Sequence, residues 1–390
     1  MAGDREPETH RMKARFIDSI EKIPADKWNS ISGKDYPFLR HEFLHALEAS
    51  RSVCAARGWQ PQHLLVENNE QLIAVLPLYI KHHSMGEYVF DRAWAEAYQR
   101  NGLAYYPKLL SAIPFTPASG PRLSLVGCDE SVLMRTVADA LQQQCEQLGA
   151  SSWHVLFPET KELPLWQQVG SDTRLGCQFH WLNQDYTTFD DFLSGFSSRK
   201  RKELKRERRR VADQAIRLER MTGEQITMEH WQDFYRFYQL TNLKYNGHGG
   251  YLTADFFVRL HQTMRDKLLL VMAYDENGEA IAGALNFFSS DTLYGRYWGT
   301  IRDVECLHFE ACYYQGIEFC IERGLKRFDP GAQGEHKIPR GFRPTLTYSQ
   351  HWIAHTGFRE AIRHFLAEES KAVQQYQQDA CTALPFKADS

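Results

Sequence analysis

One order of secondary-structure elements occurs twice along this chain of 390 residues. The pattern of apolar residues predicts a hairpin, then an amphipathic helix, then a buried strand. The two copies occupy 64–80, 132–148 and 153–157 in the first half and 268–288, 308–323 and 326–329 in the second. The length suits two domains of about 150 to 200 residues each. The repeated order therefore predicts a duplicated α/β domain.

Local signals support these elements. Gly149 and Gly324 follow the two repeated helices, where a C-terminal glycine cap is expected. An Asn277-Gly278 turn joins the two strands of the second hairpin. Residues 189–214 are predicted as one helix, and residues 242–251 as a polar loop between two helices.

Composition excludes several classes of protein. Hydrophobic residues make up 43% of the chain and charged residues 24%, which is typical of a globular protein and not of a disordered one. The polar N-terminus shows no secretory signal, and no apolar run is long enough to span a membrane. Eight scattered cysteines without a CxxC pair indicate reduced thiols and a cytoplasmic location. Cys306, His308 and Cys312 lack a fourth metal ligand at the usual spacing, so no metal site is expected.

A basic run at 199–210 contrasts with the net charge of −3 for the whole chain, because it holds nine Lys or Arg and two Glu. One interpretation is a solvated helix face with ion pairs four residues apart. The other is recognition of a polyanion: the phosphates of a nucleotide cofactor, tRNA or an anionic membrane surface. For the second interpretation, the candidate phosphate-binding residues are Arg199, Lys200 and Lys202.

The segment 328–337 places a glycine-rich turn directly after a predicted buried strand. Glycines let the backbone approach a ligand closely, and loops at strand ends often carry chemistry. His336 could act as a base oriented by Glu335, or Glu335 could itself take the proton, and Lys337 could neutralise an oxyanion or a phosphate. A satisfied polar turn is the alternative interpretation.

Two further segments are candidates for substrate contact. Residues 86–122 form a long segment of low regularity, which is either a pocket wall or a surface loop made rigid by its prolines. Residues 242–251 combine Gly and Asn with Lys, Tyr and His. The candidate substrate-binding residues of these two segments and of the strand-end turn are Tyr88, Asp91, Tyr105, Lys108, Thr116, Arg122, Lys244, Tyr245, Asp329 and Gln333.

Several of these motifs resemble those of a known family. Gly86-Glu87-Tyr88-Val89-Phe90-Asp91, Tyr105-Tyr106-Pro107-Lys108, Pro114-Phe115-Thr116-Pro117, Gly120-Pro121-Arg122 and the motif from Asp329 to Lys337 are similar to those of the bacterial peptidoglycan biosynthesis/recognition proteins. These are FemAB-like members of the GNAT superfamily, and the resemblance covers nearly the whole chain.

The resemblance implies tandem GNAT-like domains at 1–187 and 188–390, each a mixed, mostly antiparallel sheet flanked by helices. It implies an N-acyltransferase or aminoacyltransferase that moves an acyl group from an activated donor to an amine. The acceptor would be a small molecule or a cell-wall precursor. No permanently bound cofactor is implied; acyl-CoA or aminoacyl-tRNA would be the co-substrate, with tRNA or a membrane surface as partner.

One departure from simple GNAT enzymes concerns the loop that holds the CoA pyrophosphate. No Arg/Gln-x-x-Gly-x-Gly/Ala motif precedes the 308–323 helix, where Cys306-Leu307-His308-Phe309-Glu310 stands instead. Acetyl-CoA is therefore in doubt as the donor. The alternative to an enzyme is a non-catalytic protein that recognises a cell-wall precursor or another polyanion through the same cleft.

Overall fold

The computed structural model describes residues 12–332 and 334–387, which form a mixed α/β protein. The strands are β1 (Lys13–Ile17), β2 (Trp59–Pro61), β3 (His63–Asn68), β4 (Gln71–Leu76), β5 (Tyr79–Lys81), β6 (Lys108–Ser111), β7 (Ser124–Leu125), β8 (Ser152–Leu156), β9 (Asp172–Leu182), β10 (Arg217–Thr222), β11 (Leu268–Tyr274), β12 (Ala280–Phe288), β13 (Thr292–Thr300), β14 (Arg327–Asp329) and β15 (Arg343–Ile353).

The helices are α1 (Ala25–Ser32), α2 (His41–Ala49), α3 (Arg92–Arg100), α4 (Glu130–Leu148), α5 (Leu163–Gln167), α6 (Phe189–Ser194), α7 (Ser198–Asp213), α8 (Met228–Asn246), α9 (Ala254–Thr263), α10 (Leu307–Phe309), α11 (Gln315–Arg323) and α12 (Thr356–Thr382). A π-helical segment, Glu310–Tyr314, joins α10 to α11, and a 3-10 helix spans Glu335–Arg340. No helix of the described ranges is long and apolar enough to cross a bilayer.

Two sheets carry these strands. A four-stranded sheet has the order β1-β3-β4-β7, and an eleven-stranded sheet has the order β10-β11-β12-β13-β14-β9-β15-β8-β6-β5-β2. Most neighbours are antiparallel, but each half contains one parallel pair: β6 with β8, and β13 with β14. A helical crossover connects each parallel pair, through α4 in the first half and through α10 and α11 in the second. This repeated unit confirms the duplication predicted from the order of elements.

Strands from both halves of the chain meet in the middle of the large sheet. β9 pairs with β14 on one side and with β15 on the other, and β15 also pairs with β8. A strand from near the C-terminus therefore completes the sheet that the first half builds. α12 packs against β9 and β15 and covers this central region. The division at 187/188 stays a prediction.

The predicted helix ends and turns are confirmed. Gly149 and Gly324 follow α4 and α11 in the left-handed conformation, with φ of 61° and 66°. The second hairpin is β11 and β12, whose turn contains Gly278 with φ of 80°. Large apolar side chains fill the core on both faces of the sheets, including Trp28, Trp153 and Trp231, each at most 2% exposed.

Three sequence-based predictions were wrong in detail. The predicted helix 189–214 is interrupted between α6 and α7, because Phe196 is fully buried and bridges to Phe386 near the C-terminus. The second strand of the predicted hairpin 64–80 breaks at Pro77, so that β4 and β5 belong to different sheets. The predicted loop 242–251 begins inside α8, which continues to Asn246.

Candidate functional site

A cavity opens where the parallel pair β13 and β14 separates. The two strands pair up to Tyr294 and Asp329, after which β13 continues along β12 while β14 ends. The gap encloses about 420 Å³, with Gly295 and Arg296 on one wall and the turn after Asp329 on the other. We call it the strand-end cavity; its further lining residues include Tyr297, Trp298, His308, Cys312, Tyr313, Pro330, Ala332, Gly334, His336 and Lys337. Ligands commonly bind at the carboxyl ends of parallel strands.

Lys337 lies in the wall of this cavity and is only 2% exposed. Its Nζ donates hydrogen bonds to the carbonyl oxygen of Gly331 at 2.7 Å and to that of Ala332 at 3.4 Å. Burial lowers the pKa of Lys337 to about 8, with the nearby Asp329 opposing the shift. Since an ammonium carries three hydrogens, one of them stays available to a ligand.

His336 also lines the strand-end cavity, whereas Glu335 does not. The His336 Nε2 is hydrogen-bonded to the Tyr313 hydroxyl at 2.8 Å. Burial and the charge of Lys337 lower the pKa of His336 below its ordinary value, so the imidazole is neutral at pH 7. Glu335 is exposed and accepts a 2.8 Å hydrogen bond from the Tyr376 hydroxyl of α12.

Asp329 holds the turn that follows β14 in place, and its side chain does not line the strand-end cavity. Its carboxylate pairs with Arg296 at 3.0 Å and accepts a 2.9 Å hydrogen bond from the backbone N–H of Gly331. Although burial opposes the shift, Arg296 and His180 hold the pKa of Asp329 below its ordinary value. Gln333 lies outside the described residues.

A second and larger cavity of about 990 Å³ lies beside the 86–106 segment. Most of its lining surface is apolar, and aromatic rings form much of the wall. We call it the aromatic cavity; its lining includes Ser84, Tyr88, Phe90, Asp91, Tyr105, Tyr106, Asn246, His248 and Tyr251. Three of the predicted substrate-binding residues, Tyr88, Asp91 and Tyr105, are thus brought together in one wall.

Lys108 lies directly behind this wall in a buried charge network. Its Nζ donates to Glu87 at 2.7 Å, to the Ser84 hydroxyl at 2.8 Å and to Asp91. The Tyr105 hydroxyl donates to Asp91 at 2.7 Å. Despite burial, the charge of Lys108 and its hydrogen bond lower the pKa of Asp91 to about 2. The network holds the carboxylate of Asp91 ionised at the edge of an apolar cavity.

A small pocket of about 210 Å³, which we call the connecting pocket, shares wall residues with both cavities. Tyr88 and Phe90 line both this connecting pocket and the aromatic cavity, and Ala332 lines both this pocket and the strand-end cavity. Arg174 secures the junction: its guanidinium donates to Glu369 through two 2.7 Å hydrogen bonds and to the carbonyl oxygen of Phe90 at 2.7 Å. Because they share wall residues, we refer to the three adjacent spaces together as the groove.

The basic run lies on α7, beside the π-helical segment that contributes Cys312 and Tyr313 to the strand-end cavity. Arg199 and Lys200 are both paired with Glu203, at 3.1 and 3.0 Å. Lys202 is exposed and, within the described part of the chain, has no ion-pair partner. None of these three residues lines the strand-end cavity.

Besides Lys108 and Asp329, four predicted substrate-binding residues line neither large cavity: Thr116, Arg122, Lys244 and Tyr245. Arg122 is fully buried, and its guanidinium donates to four backbone carbonyls, among them those of Ala118 at 2.7 Å and Leu156 at 2.8 Å. It holds a loop in place. Thr116 is buried, Lys244 pairs with Asp303 at 2.8 Å, and Tyr245 is 70% exposed.

Sequence reasoning missed Arg296, Tyr313, Glu87 and Lys81. Arg296 is a charged residue inside an otherwise apolar strand, and this contrast was the available signal. Burial lowers the pKa of Lys81 to about 7, and its Nζ lies 3.7 Å from the centre of the Trp59 ring. Lys81 directly follows the predicted hairpin, yet nothing in the neighbouring sequence indicates that its side chain is buried.

Comparisons with known proteins extend over most of the chain. A family model described as FemAB-like, peptidoglycan biosynthesis/recognition, matches residues 19–388. No curated protein matches. Among solved structures, that of FemX has 12% identity and a TM-score of 0.53, covering 87% of this chain and 98% of that one.

Two further structures are similar. The C-terminal domain of a putative lysylphosphatidylglycerol synthetase from Agrobacterium fabrum has 10% identity and a TM-score of 0.52, covering 88% of this chain and 95% of that one. A conserved protein of unknown function from Bacteroides thetaiotaomicron has 11% identity and a TM-score of 0.50, covering 86% and 98%. At such identities the likeness concerns the fold alone. It confirms the predicted tandem GNAT-like α/β fold.

Proposed function

Because the chain belongs to the FemAB-like family of peptidoglycan biosynthesis/recognition proteins, we propose that it transfers an acyl or aminoacyl group from an activated donor to an amine. The observation that carries this proposal is the strand-end cavity, with Lys337 in its wall and His336 at its side. An ammonium with a pKa of about 8 and a neutral imidazole supply the two functions that acyl transfer to nitrogen requires.

The chemical step follows from these two groups. The neutral acceptor amine attacks the donor's ester or thioester carbonyl, and a C–N bond forms as the carbonyl oxygen becomes an oxyanion. The free hydrogen of Lys337 Nζ stabilises that oxyanion, while His336 takes the proton lost by nitrogen. Collapse of the intermediate breaks the C–O or C–S bond, and the leaving group receives the proton. Charge and atoms balance without a further reagent.

The acceptor would enter through the aromatic cavity. Its apolar wall would hold the body of the acceptor, and the ionised carboxylate of Asp91 would attract an ammonium group before that group loses its proton. The connecting pocket would then lead the amine past Tyr88 towards Ala332. Cell-wall precursors carry such amines, and the family description supports that acceptor class.

For the donor, the surface of α7 favours an aminoacyl-tRNA over acyl-CoA. Lys202, Arg206 and Arg209 are exposed, share one helix face and have no ion-pair partner in the described part of the chain. The opposite face of α7 packs beside the strand-end cavity, and Glu207 on this face accepts a hydrogen bond from Arg340 at 2.6 Å. The exposed face would therefore bind phosphates beside the strand-end cavity.

The test is transfer of a labelled acyl group with purified protein, using panels of aminoacyl-tRNAs, acyl-CoAs and amine-bearing cell-wall precursors. With a donor and an acceptor that give turnover, Lys337→Met should reduce kcat by about 10²- to 10³-fold, which is the usual effect of removing one oxyanion donor. The matched control is Lys326→Met, which removes an exposed lysine next to the same strand. Equal turnover in the two variants would contradict the role of Lys337.

The alternative is a non-catalytic protein that binds a cell-wall precursor in the same groove. Binding without donor-dependent turnover, across the whole panel, would favour it. Salt dependence addresses the tRNA donor separately: affinity should fall steeply with salt, and reversing Lys202 and Arg206 to Glu should flatten that slope. The cytoplasmic location and peripheral contact with a membrane remain proposals.

A further inference from the structure

A third cavity of about 320 Å³ lies where the two halves of the chain meet. The segments around Tyr36, Gly120 and Glu159 form one side, and strands β9, β14 and β15 form the other. Asp35 and Thr160 at its edge are exposed, so the space is open to solvent. We call it the junction cavity. It shares no lining residue with the strand-end cavity.

Besides Oε2 of Glu159, which is ion-paired with Lys161, two polar atoms in its wall lack hydrogen-bond partners within the described residues. They are Nδ1 of His180, a residue only 1% exposed, and the buried Nε of Arg327. Arg327 also has no carboxylate within ion-pair distance in the part of the chain that the structure describes. Leaving a buried donor unsatisfied costs about 1–3 kcal/mol, and for a charged group the cost is higher. A ligand that accepts hydrogen bonds would remove this cost.

Two of the three acidic residues of the junction cavity are paired with lysines. Asp35 is paired with Lys267 at 3.2 Å, and Glu159 is paired with Lys161 at 2.6 Å. The carboxylate of Asp291 accepts hydrogen bonds from two neighbouring hydroxyl groups. The buried donor left without a partner is therefore the Arg327 guanidinium, which favours an anion over a cation.

We propose that the junction cavity binds a small molecule bearing one compact oxyanion, a phosphate or a carboxylate, which Arg327 binds, together with a hydroxyl group that donates to His180. Arg327 supplies the charge and a forked set of donors. His180 Nε2 faces the Gln178 Oε1 at 3.3 Å, an oxygen that can only accept, so the ring hydrogen lies on Nε2 and Nδ1 is left to accept from a hydroxyl group of the ligand. The volume limits the ligand to the lower end of the usual size range for metabolite pockets.

This cavity is joined to the strand-end cavity through one carboxylate. His180 Nε2 lies 3.8 Å from Asp329 Oδ1, and the same oxygen accepts the N–H of Gly331 at 2.9 Å. The carbonyl of Gly331 in turn accepts from Lys337 Nζ at 2.7 Å. An anion beside His180 and Arg327 changes the electrostatic field at Asp329, so it should change the stability of the turn that carries Lys337. Any effect on turnover rests on the proposed function, whereas binding does not.

The first test is a titration of the full chain with inorganic phosphate, glycerol 3-phosphate and malate, at constant ionic strength maintained with choline chloride. A specific site gives a saturable rise of Tm by a few degrees, since a ligand that binds only the folded state stabilises it. The phosphate and malate arms distinguish the two oxyanions. A Tm that is unaffected by all three anions overturns the proposal.

Variants locate the site. Arg327→Gln should weaken the preferred anion at least tenfold by calorimetry, and Arg327→Lys, which keeps the charge, should weaken it less. The control Arg323→Gln removes an exposed arginine four residues earlier and should bind as the parent does. Equal affinity in all four proteins overturns the assignment to Arg327. If Arg327→Gln does not fold, the Lys variant decides the question.

Hydrogen exchange tests the connection to the turn. In the parent, saturating phosphate should slow amide exchange of the peptide 329–337, and in Arg327→Gln it should not. Binding without any change in this peptide would overturn the coupling while leaving the site intact. Because this measurement needs no acyl donor or acceptor, its failure is distinguishable from a failure of the proposed transferase activity.

Discussion

Replacing Lys337 by Met should change the way in which stability depends on pH. Lys337 is almost fully buried, and its pKa is lowered from 10.5 to about 8. Between these two values the unfolded chain binds more protons than the folded one, so the stability of the parent rises with pH. Below pH 8 the buried ammonium imposes its full cost. The Met variant lacks this titration.

The magnitude follows from the size of the shift. A shift from 10.5 to about 8 corresponds to about 3 kcal/mol of destabilisation at pH 7, at 1.36 kcal/mol per pKa unit. Most of that cost should vanish by pH 10. The parent should therefore gain about 2–3 kcal/mol relative to the variant between pH 7 and pH 10. The variant also loses the hydrogen bonds to Gly331 and Ala332, but that loss does not depend on pH.

The assay is urea unfolding at several pH values between 7 and 10, for the parent, Lys337→Met and Lys326→Met. Because Lys326 is exposed, its variant should follow the parent, apart from a constant offset. The reasoning would be refuted if the Lys337→Met and parent curves ran parallel across this range, since the lysine would then titrate equally in both states. A parent that loses stability relative to the variant as pH rises would contradict the sign.

Three further predictions concern other positions. His336→Ala should lower kcat of the transfer reaction about 10²-fold or more. Glu335→Gln should change kcat by no more than about twofold, because that carboxylate lies outside the strand-end cavity. Equal losses of kcat in the two variants would contradict the assignment of His336 as the base. Arg122→Met should lower the free energy of unfolding by about 3 kcal/mol or more, since several buried carbonyls lose their donor; a change below 1 kcal/mol in urea would speak against this. Gly299→Ala should cost about 1–3 kcal/mol, because a Cβ there would lie 2.3 Å from the backbone of Phe237; an unchanged Tm would contradict it.

Elements with strong local signals were predictable from the sequence. The hairpin at 268–288 and the glycine-capped helix α4 depend on turn chemistry and helical spacing within a few residues, and both are present. β9 and β15 were not predicted, since they contain many polar residues. Gln178, His180, Gln350 and His351 in these strands are all buried. Their partners come from distant parts of the chain, and no local pattern reveals those partners.

The candidate site was predictable to a similar extent. The turn after Asp329 and the segment 86–106 could be identified because polar residues cluster there around glycine and proline. The orientation of each side chain could not, as Glu335 shows by facing α12. Likewise Arg122 reads as a pocket residue in the sequence but serves as a buried donor to backbone carbonyls. The direction in which each of these side chains points depends on which strands are neighbours in the sheet.

The continuous sheet through β14, β9, β15 and β8 limits how the proposed donor and acceptor could be brought together. β15 pairs with β8 and β9 over several residues each, and β14 pairs with β9 over two, so a hinge rotation that opens or closes the groove would have to break ladder bonds. The spacing between the aromatic cavity and the strand-end cavity is therefore set by the backbone. Movement that admits or releases a substrate should be confined to loops and side chains along the groove, such as Tyr88 and Arg174 beside the connecting pocket.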